Sequence, residues 1–287
     1  MHRSYLFVPG DSERKLGKAR DSGADALIVD LEDSVAPGER DKAREIARTF
    51  LAEGAPMPVW VRMNPLATDD AMLDLRAVMP EAPAGIMLPK CLGGDDVAEL
   101  GRLLGALEVE HEITAGQTAI LPLVTERPAA LFRVHEYADC DVRLAGLTWG
   151  AEDLSAALGA SASRDDDGRW LPPYELARSL CLVGAAAAGV VAIDTVFTNF
   201  RDADGLAACA ARSRRDGFRG MLAIHPAQVG PINDAFTPSA AEIERAERIV
   251  ARFAGDPGAG TLSLDGEMID RPHLEQARRI LQLAGRD

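Results

Sequence analysis

Cysteine is scarce and scattered in this sequence: Cys91, Cys140, Cys181 and Cys209 stand far apart and form no CxxC pair. That spacing excludes a disulfide framework and a thiolate metal centre of familiar pattern, and the apolar surroundings read as buried thiols. Histidine pairs are missing too. The His111-Glu112 step lacks the second histidine of an HExxH zinc motif and reads as surface. Positive charge is in deficit, with 31 Lys and Arg against 45 Asp and Glu. Such a field repels nucleic acid and anionic membrane surfaces, so neither is an expected partner. No glycine-rich phosphate loop is present. Long apolar runs are absent as well: the opening MHRSYLFVPG is too short for a signal peptide. The longest apolar stretch, 181–193, falls short of the ~20 residues that a membrane span requires. A cytoplasmic protein is the expectation.

What is present is alternation. Short β-rich runs at 4–8, 26–31, 58–63, 85–89, 119–124, 144–149, 192–197 and 220–225 are separated by helical patterns such as 39–54, the signature of βα units on a parallel sheet. Eight such units close a barrel, and a barrel of this kind needs roughly 250 residues. The expected fold class is therefore α/β, a (βα)8 TIM barrel with a short C-terminal lid extension. The expected domains are a catalytic barrel with a flanking helix over 1–254, then a Gly-rich linker and lid helix over 255–287. The polar stretch 160–173 reads as a mobile loop after the sixth strand, and its run Asp165-Asp166-Asp167 reads as solvated rather than as a metal site.

In such a barrel the active site lies at the C-terminal ends of the strands. Those ends hold Pro9-Gly10-Asp11, Asp30, Glu32, Asp33, Arg62, Asn64, Lys90, Glu126, Glu152, Asp153, Asp194 and His225. Any one charge after a strand is an ordinary loop residue. Together they place several carboxylates on one ring, which costs repulsion and desolvation unless a cation and a bound anion are also there. Magnesium or manganese fits oxygen ligands of this kind, taking one or two carboxylates and completing its shell with water or substrate. His225 reads equally as a satisfied core histidine or a ligand contact, and Lys90 as a neutraliser of the carboxylates.

The segments RSYLFVPGD (3–11), VDLEDSVAPGERDKAR (29–44), VWVRMN (59–64), LPK (88–90), LPLVTERPAAL (121–131), GLTWGAEDL (146–154), AID (192–194), GFRGMLAIHPAQV (217–229) and LDGEMIDRPHLEQA (264–277) resemble the HpcH/HpaI aldolase and citrate lyase β-subunit family. The resemblance spans almost the whole chain and is similar in particular to stand-alone lyases of the malyl-CoA, citramalyl-CoA or citryl-CoA type. It implies Glu126 and Asp153 as metal ligands, Arg62 as a substrate-binding residue, and Asp270 as a catalytic aspartate on a lid that reaches a neighbouring subunit. Read from the sequence alone, Asp270 would instead cap the helix that begins near Pro272. Arg127 stands where many members carry Thr, which leaves substrate choice open.

The implied reaction is cleavage of a 3-hydroxyacyl-CoA into an acyl-CoA and a small α-keto acid such as glyoxylate, pyruvate or oxaloacetate. It needs Mg2+, or Mn2+ in its place, as a Lewis acid for the keto-acid oxygens. Arg62 would hold the oxygen that gains charge, or else pair with Glu32 or Asp33. Glu32 and Asp33 are expected to orient Arg62 or metal-bound water. Backbone amides at Gly150, Ala151 and Glu152 would receive a carboxylate. Asp270, shielded by a closing lid, would carry a proton. Arg3, Arg14 and Lys15 are candidates for the CoA phosphates by position. A lid crossing between subunits implies a closed ring, a homotrimer or hexamer. The alternatives are a citrate lyase β subunit acting on a carrier-bound citryl thioester, and an aldolase acting on free hydroxy-keto acids.

Overall fold

Eight strands form one parallel sheet: β1 (Ser4–Pro9), β2 (Ala26–Asp30), β3 (Val59–Arg62), β4 (Gly85–Leu88), β5 (Ala119–Pro122), β6 (Gly146–Thr148), β7 (Val191–Asp194) and β8 (Gly220–Ala223). In this computed structural model, which describes residues 2–286, β1 pairs with both β2 and β8. The seam between β5 and β6 is closed by single bridges, Ile120 to Leu144 and Leu123 to Thr148. Backbone bonds at 2.9 Å from Ile120 N–H to Arg143 and from Val124 N–H to Thr148 complete it. The expected TIM barrel is present. Around it run α1 (Glu13–Ala19), α2 (Arg40–Glu53), α3 (Asp70–Val78), α4 (Gly94–Glu110), α5 (Ala151–Leu158), α6 (Pro172–Ala187) and α7 (Ala203–Asp216), with α8 (Val229–Phe236) after the last strand. A 3-10 segment, Pro128–Tyr137, connects β5 to β6.

Side chains alternate across a strand, so every second residue points into the barrel. Tyr5, Ala26, Ile28, Trp60, Met87, Leu121, Leu123, Ile193 and Leu222 form that interior cluster. Burying each aliphatic side chain of this set contributes about 1.5–3 kcal/mol. Gly85 lies in register with Trp60, and a Cβ there would stand 2.2 Å from the indole, so the indole of Trp60 needs a glycine opposite. Continuing two residues along from Ile28 and from Trp60 reaches Asp30 and Arg62. The interior face therefore changes from apolar to charged at its C-terminal rung.

The chain divides into two compact units, Met1–Asn233 and Asp234–Asp287. This boundary falls earlier than the one expected at residue 254. The helix α9 (Ala240–Ala254) shares a core with α10 (Arg271–Leu283), because Ala246, Ile249 and Phe253 form an apolar stripe that buries with Ile269, Leu274 and Ala277. Within the expected linker lies a hairpin of β9 (Thr261–Leu264) and β10 (Glu267–Asp270). Asp265 and Gly266 turn it, with φ of 53° and 81°. An Asp-Gly pair between two strands is the sequence signal for such a turn.

The stretch 160–173 is a second small hairpin, with Leu171 N–H bonded to Ser163 at 2.9 Å. Asp165 organises its turn by accepting from the Asp167 and Arg169 amides at 3.0 and 2.8 Å. Among the described residues no helix is long and apolar enough to cross a membrane.

Candidate active site

Asp30 and Arg62 are direct partners in the β2–β3 register, so their side chains leave adjacent strands on the same face. The result is a fork: Arg62 Nε and one terminal nitrogen each donate to one Asp30 oxygen at 2.7 Å. Asp30 is further fixed by the Glu32 and Ser34 amides at 3.0 and 3.1 Å. Burial disfavours its charge, yet the Arg62 bonds and these amides hold its carboxyl below the usual range. Arg62 lies over the Phe7 ring at 4.8 Å. Its remaining terminal nitrogen stands 3.2 Å from Glu32 and 3.8 Å from Asp33. The expected pairing with Glu32 or Asp33 is thus secondary to Asp30.

Lys90 follows β4 with φ of 52°, a left-handed conformation uncommon outside glycine, Asn and Asp and often found at functional sites. That twist lets one residue serve two directions. Its amide donates to Glu126 Oε2, while its ammonium pairs with Glu32 and lies 3.2 Å from Asp33 and 3.5 Å from Asp153. Glu126 is almost fully buried. Gly150 makes room for it, since a Cβ at that position would meet Glu126 Cγ at 2.8 Å.

Glu126, Gly150, Ala151, Glu152, Asp153, Asp30, Asp33 and Arg62 line one cavity of about 320 Å3, whose apolar wall includes Phe7, Leu123, Trp149 and Ile224. Sequence reading missed that wall, although Phe7 and Leu123 continue the interior alternation of β1 and β5. Trp149 is set by a bond from its indole N–H to Asp194 at 2.7 Å. Asp194 also takes two bonds from Arg178, so this strand-end carboxylate shapes the wall from behind.

Other candidates lie elsewhere. Arg3 precedes β1 and therefore sits at the opposite end of the barrel from the strand ends that bear the cavity. There it pairs with Asp25 at 2.8 Å, and the fold does not bring it to the cavity. Arg14 and Lys15 are exposed on α1 and do not line the cavity. His225 stacks on Phe200 at 4.8 Å and accepts from the Ala227 amide, which makes it a turn cap at the rim rather than a core histidine. Asp270 is in the second unit. Its Oδ1 lies 2.5 Å from His273 Nδ1, and that partner holds its carboxyl below the usual range. Within the single chain it caps α10 and is not the shielded, proton-holding acid expected of a lid residue.

The electrostatics isolate Glu126 and Glu32. Burial, reinforced by the charge of Asp153, pushes Glu126 up to about 8. Burial pushes Glu32 up to about 7 against the opposing pull of Arg62 and Lys90, and Glu32 Oε2 accepts no hydrogen bond. Two cations therefore face five carboxylates, Asp30, Glu32, Asp33, Glu126 and Asp153. Such a set asks for further positive charge. No group of three or more His, Cys, Asp or Glu side chains forms a ligand set among the described residues. The pair Glu126 and Asp153 nevertheless suits a hard divalent cation that keeps water or substrate oxygens on its other positions.

Comparison with known proteins agrees with the fold. Residues 3–226 match the family model described as HpcH/HpaI aldolase/citrate lyase. The citrate lyase subunit beta of Haemophilus influenzae is 32% identical over 99% of this chain and 97% of that one. A (3S)-malyl-CoA thioesterase of Cereibacter sphaeroides is 34% identical over 98% and 94%. The crystal structure of the protein CitE from Mycobacterium tuberculosis in complex with magnesium, acetoacetate and coenzyme A superposes with a TM-score of 0.80, at 31% identity, over 99% and 98% of the two chains.

Proposed function

The chain belongs to the HpcH/HpaI aldolase/citrate lyase family, and from that premise we propose that it is a Mg2+-dependent lyase that splits a carbon–carbon bond of a 3-hydroxyacyl-CoA of the malyl, citramalyl or citryl type. The carrying observation is the convergence of the buried Glu126 carboxylate with Asp153 and Arg62 on one cavity. Glu126 and Asp153 hold the metal, with Mn2+ as a substitute. When bound, it supplies Lewis-acid polarisation and a template for the keto-acid oxygens.

The protein's own groups do the rest. Arg62, locked by Asp30, offers the terminal nitrogen that Asp30 does not engage to the oxygen that gains charge as the bond breaks. Glu32 and Asp33 keep that nitrogen aimed. Amides of Gly150, Ala151 and Glu152, at the start of α5, take the keto-acid carboxylate. The apolar wall of Phe7, Leu123 and Trp149 excludes water from the thioester carbon. Asp270 exchanges the proton on that carbon from a neighbouring protomer, in a homotrimer or hexamer. Asp270→Ala mixed with Arg62→Ala should regain activity that neither has alone, and no recovery would remove the shared-site arrangement.

The deciding assay incubates purified protein with each thioester and Mg2+, with and without EDTA. Release of keto acid and acyl-CoA supports the lyase. Release of the free hydroxy acid and CoA would favour hydrolysis, the activity for which the Cereibacter relative is named. No product from any thioester would reject the proposal.

A further inference from the structure

Building on the metal assignment above, we propose that Lys90 is a built-in counter-cation: its ammonium neutralises the carboxylate cluster while the metal is absent, and gives way when a divalent ion arrives.

Three features of one residue carry this. Lys90 reaches both proposed ligands by different atoms, its amide to Glu126 and its ammonium to within 3.5 Å of Asp153. Among the described residues the ammonium is the cation that ion-pairs with Asp153. Second, it has somewhere to go. Glu32 and Asp33 bind the same ammonium, so it can leave Asp153 and keep two partners. Third, the other cation of the site cannot perform this exchange, because Arg62 is held bidentately by Asp30 with both bonds at 2.7 Å. The site thus contains one fixed positive charge for an oxygen anion and one movable charge that shares carboxylates with the metal.

The two roles of Lys90 separate physically. The amide contact to Glu126 survives any side-chain replacement and continues to orient that ligand. The ammonium is different. Beside a divalent ion it repels, so its presence weakens metal binding. Without the metal it attracts the carboxylates, so its presence stabilises the fold. Removal of the charge should therefore shift the two quantities in opposite senses, which a purely structural lysine or a metal-positioning lysine would not do.

The experiment measures Mn2+ affinity by calorimetry and Tm in EDTA for wild type, Lys90→Met and Lys90→Arg. The expected result for Lys90→Met is Mn2+ binding roughly tenfold tighter, from loss of one charge–charge repulsion near the ion. Its Tm in EDTA should fall by about 3–5 °C, and saturating Mn2+ should restore it. Lys90→Arg, which keeps the charge, should stay near wild type in both measures. If Lys90→Met does not fold, Lys90→Gln takes its place, with the same expected tightening. Unchanged or weaker Mn2+ binding on charge removal would overturn the inference while leaving the metal site intact. A wild-type protein that binds no Mn2+ would overturn the metal assignment itself and this inference with it.

Discussion

Glu108 and Glu126 are both buried glutamates of the barrel unit, and they are treated in opposite ways. Glu108, on α4, receives a two-pronged bond from Arg143 at 2.6 and 2.7 Å and two further bonds from the Gly116 and Thr118 amides. Burial works against its charge, but these partners win and lower its carboxyl to about 2. Glu126 has one backbone donor and a carboxylate neighbour, and stands at about 8. A buried charge with a complete set of partners is a structural clasp. One without them is a site waiting for a cation.

Neutralising each glutamate in turn separates the two cases. Glu126→Gln should reduce lyase turnover on the order of 10^4-fold, since the metal contributes several kcal/mol to the transition state. The same change should leave Tm in EDTA unchanged or raised, because the desolvation penalty on a buried ionisable group is removed. Glu108→Gln should do the reverse. It strands Arg143 and should destabilise the protein by about 3–5 kcal/mol in urea unfolding, with the metal affinity of the folded protein unchanged. Arg62→Lys should lower kcat roughly 10^2-fold, as a point charge cannot keep the Asp30 fork and still present a donor to the substrate.

Acidity sharpens the contrast further. Glu126 has a raised folded pKa, so its contribution to stability is fully present below its unfolded value of 4.5 and is lost as pH rises through about 8. Glu32 has the same sign, ending at about 7. In EDTA, stability should therefore fall by on the order of 5 kcal/mol between pH 5 and 8, and saturating Mg2+ should flatten the slope. Glu108 runs the other way: its contribution is present above 4.5 and is lost only as pH falls through about 2. Denaturant melts across pH, with and without Mg2+, read both trends.

Much of this arrangement was legible before the structure. β-rich runs located all eight strands to within a few residues, because parallel strands buried on both faces read as continuous apolar segments. Strand ends then gave Arg62, Glu126 and Asp153, which the fold brings to one cavity. What escaped was pairing across the sheet. Asp30 appeared as one strand-end acid among several, and only the register shows it as the partner that fixes Arg62. Arg3 was misplaced because closeness to β1 in sequence does not say at which end of the strand a side chain lies. The C-terminal hairpin escaped because its two strands are only four residues long and the Asp265-Gly266 turn lies in a segment whose other glycines read as a linker. The α9 helix was assigned by adjacency to the barrel, whereas its apolar stripe matches that of α10.

Calorimetric titration of Mn2+ into wild type, Glu126→Gln and Glu108→Gln decides whether buried Glu126 belongs to a divalent-cation site. One ion per chain is expected for wild type and for folded Glu108→Gln, and no binding for Glu126→Gln. Equal binding by wild type and Glu126→Gln, or none by wild type, would contradict it.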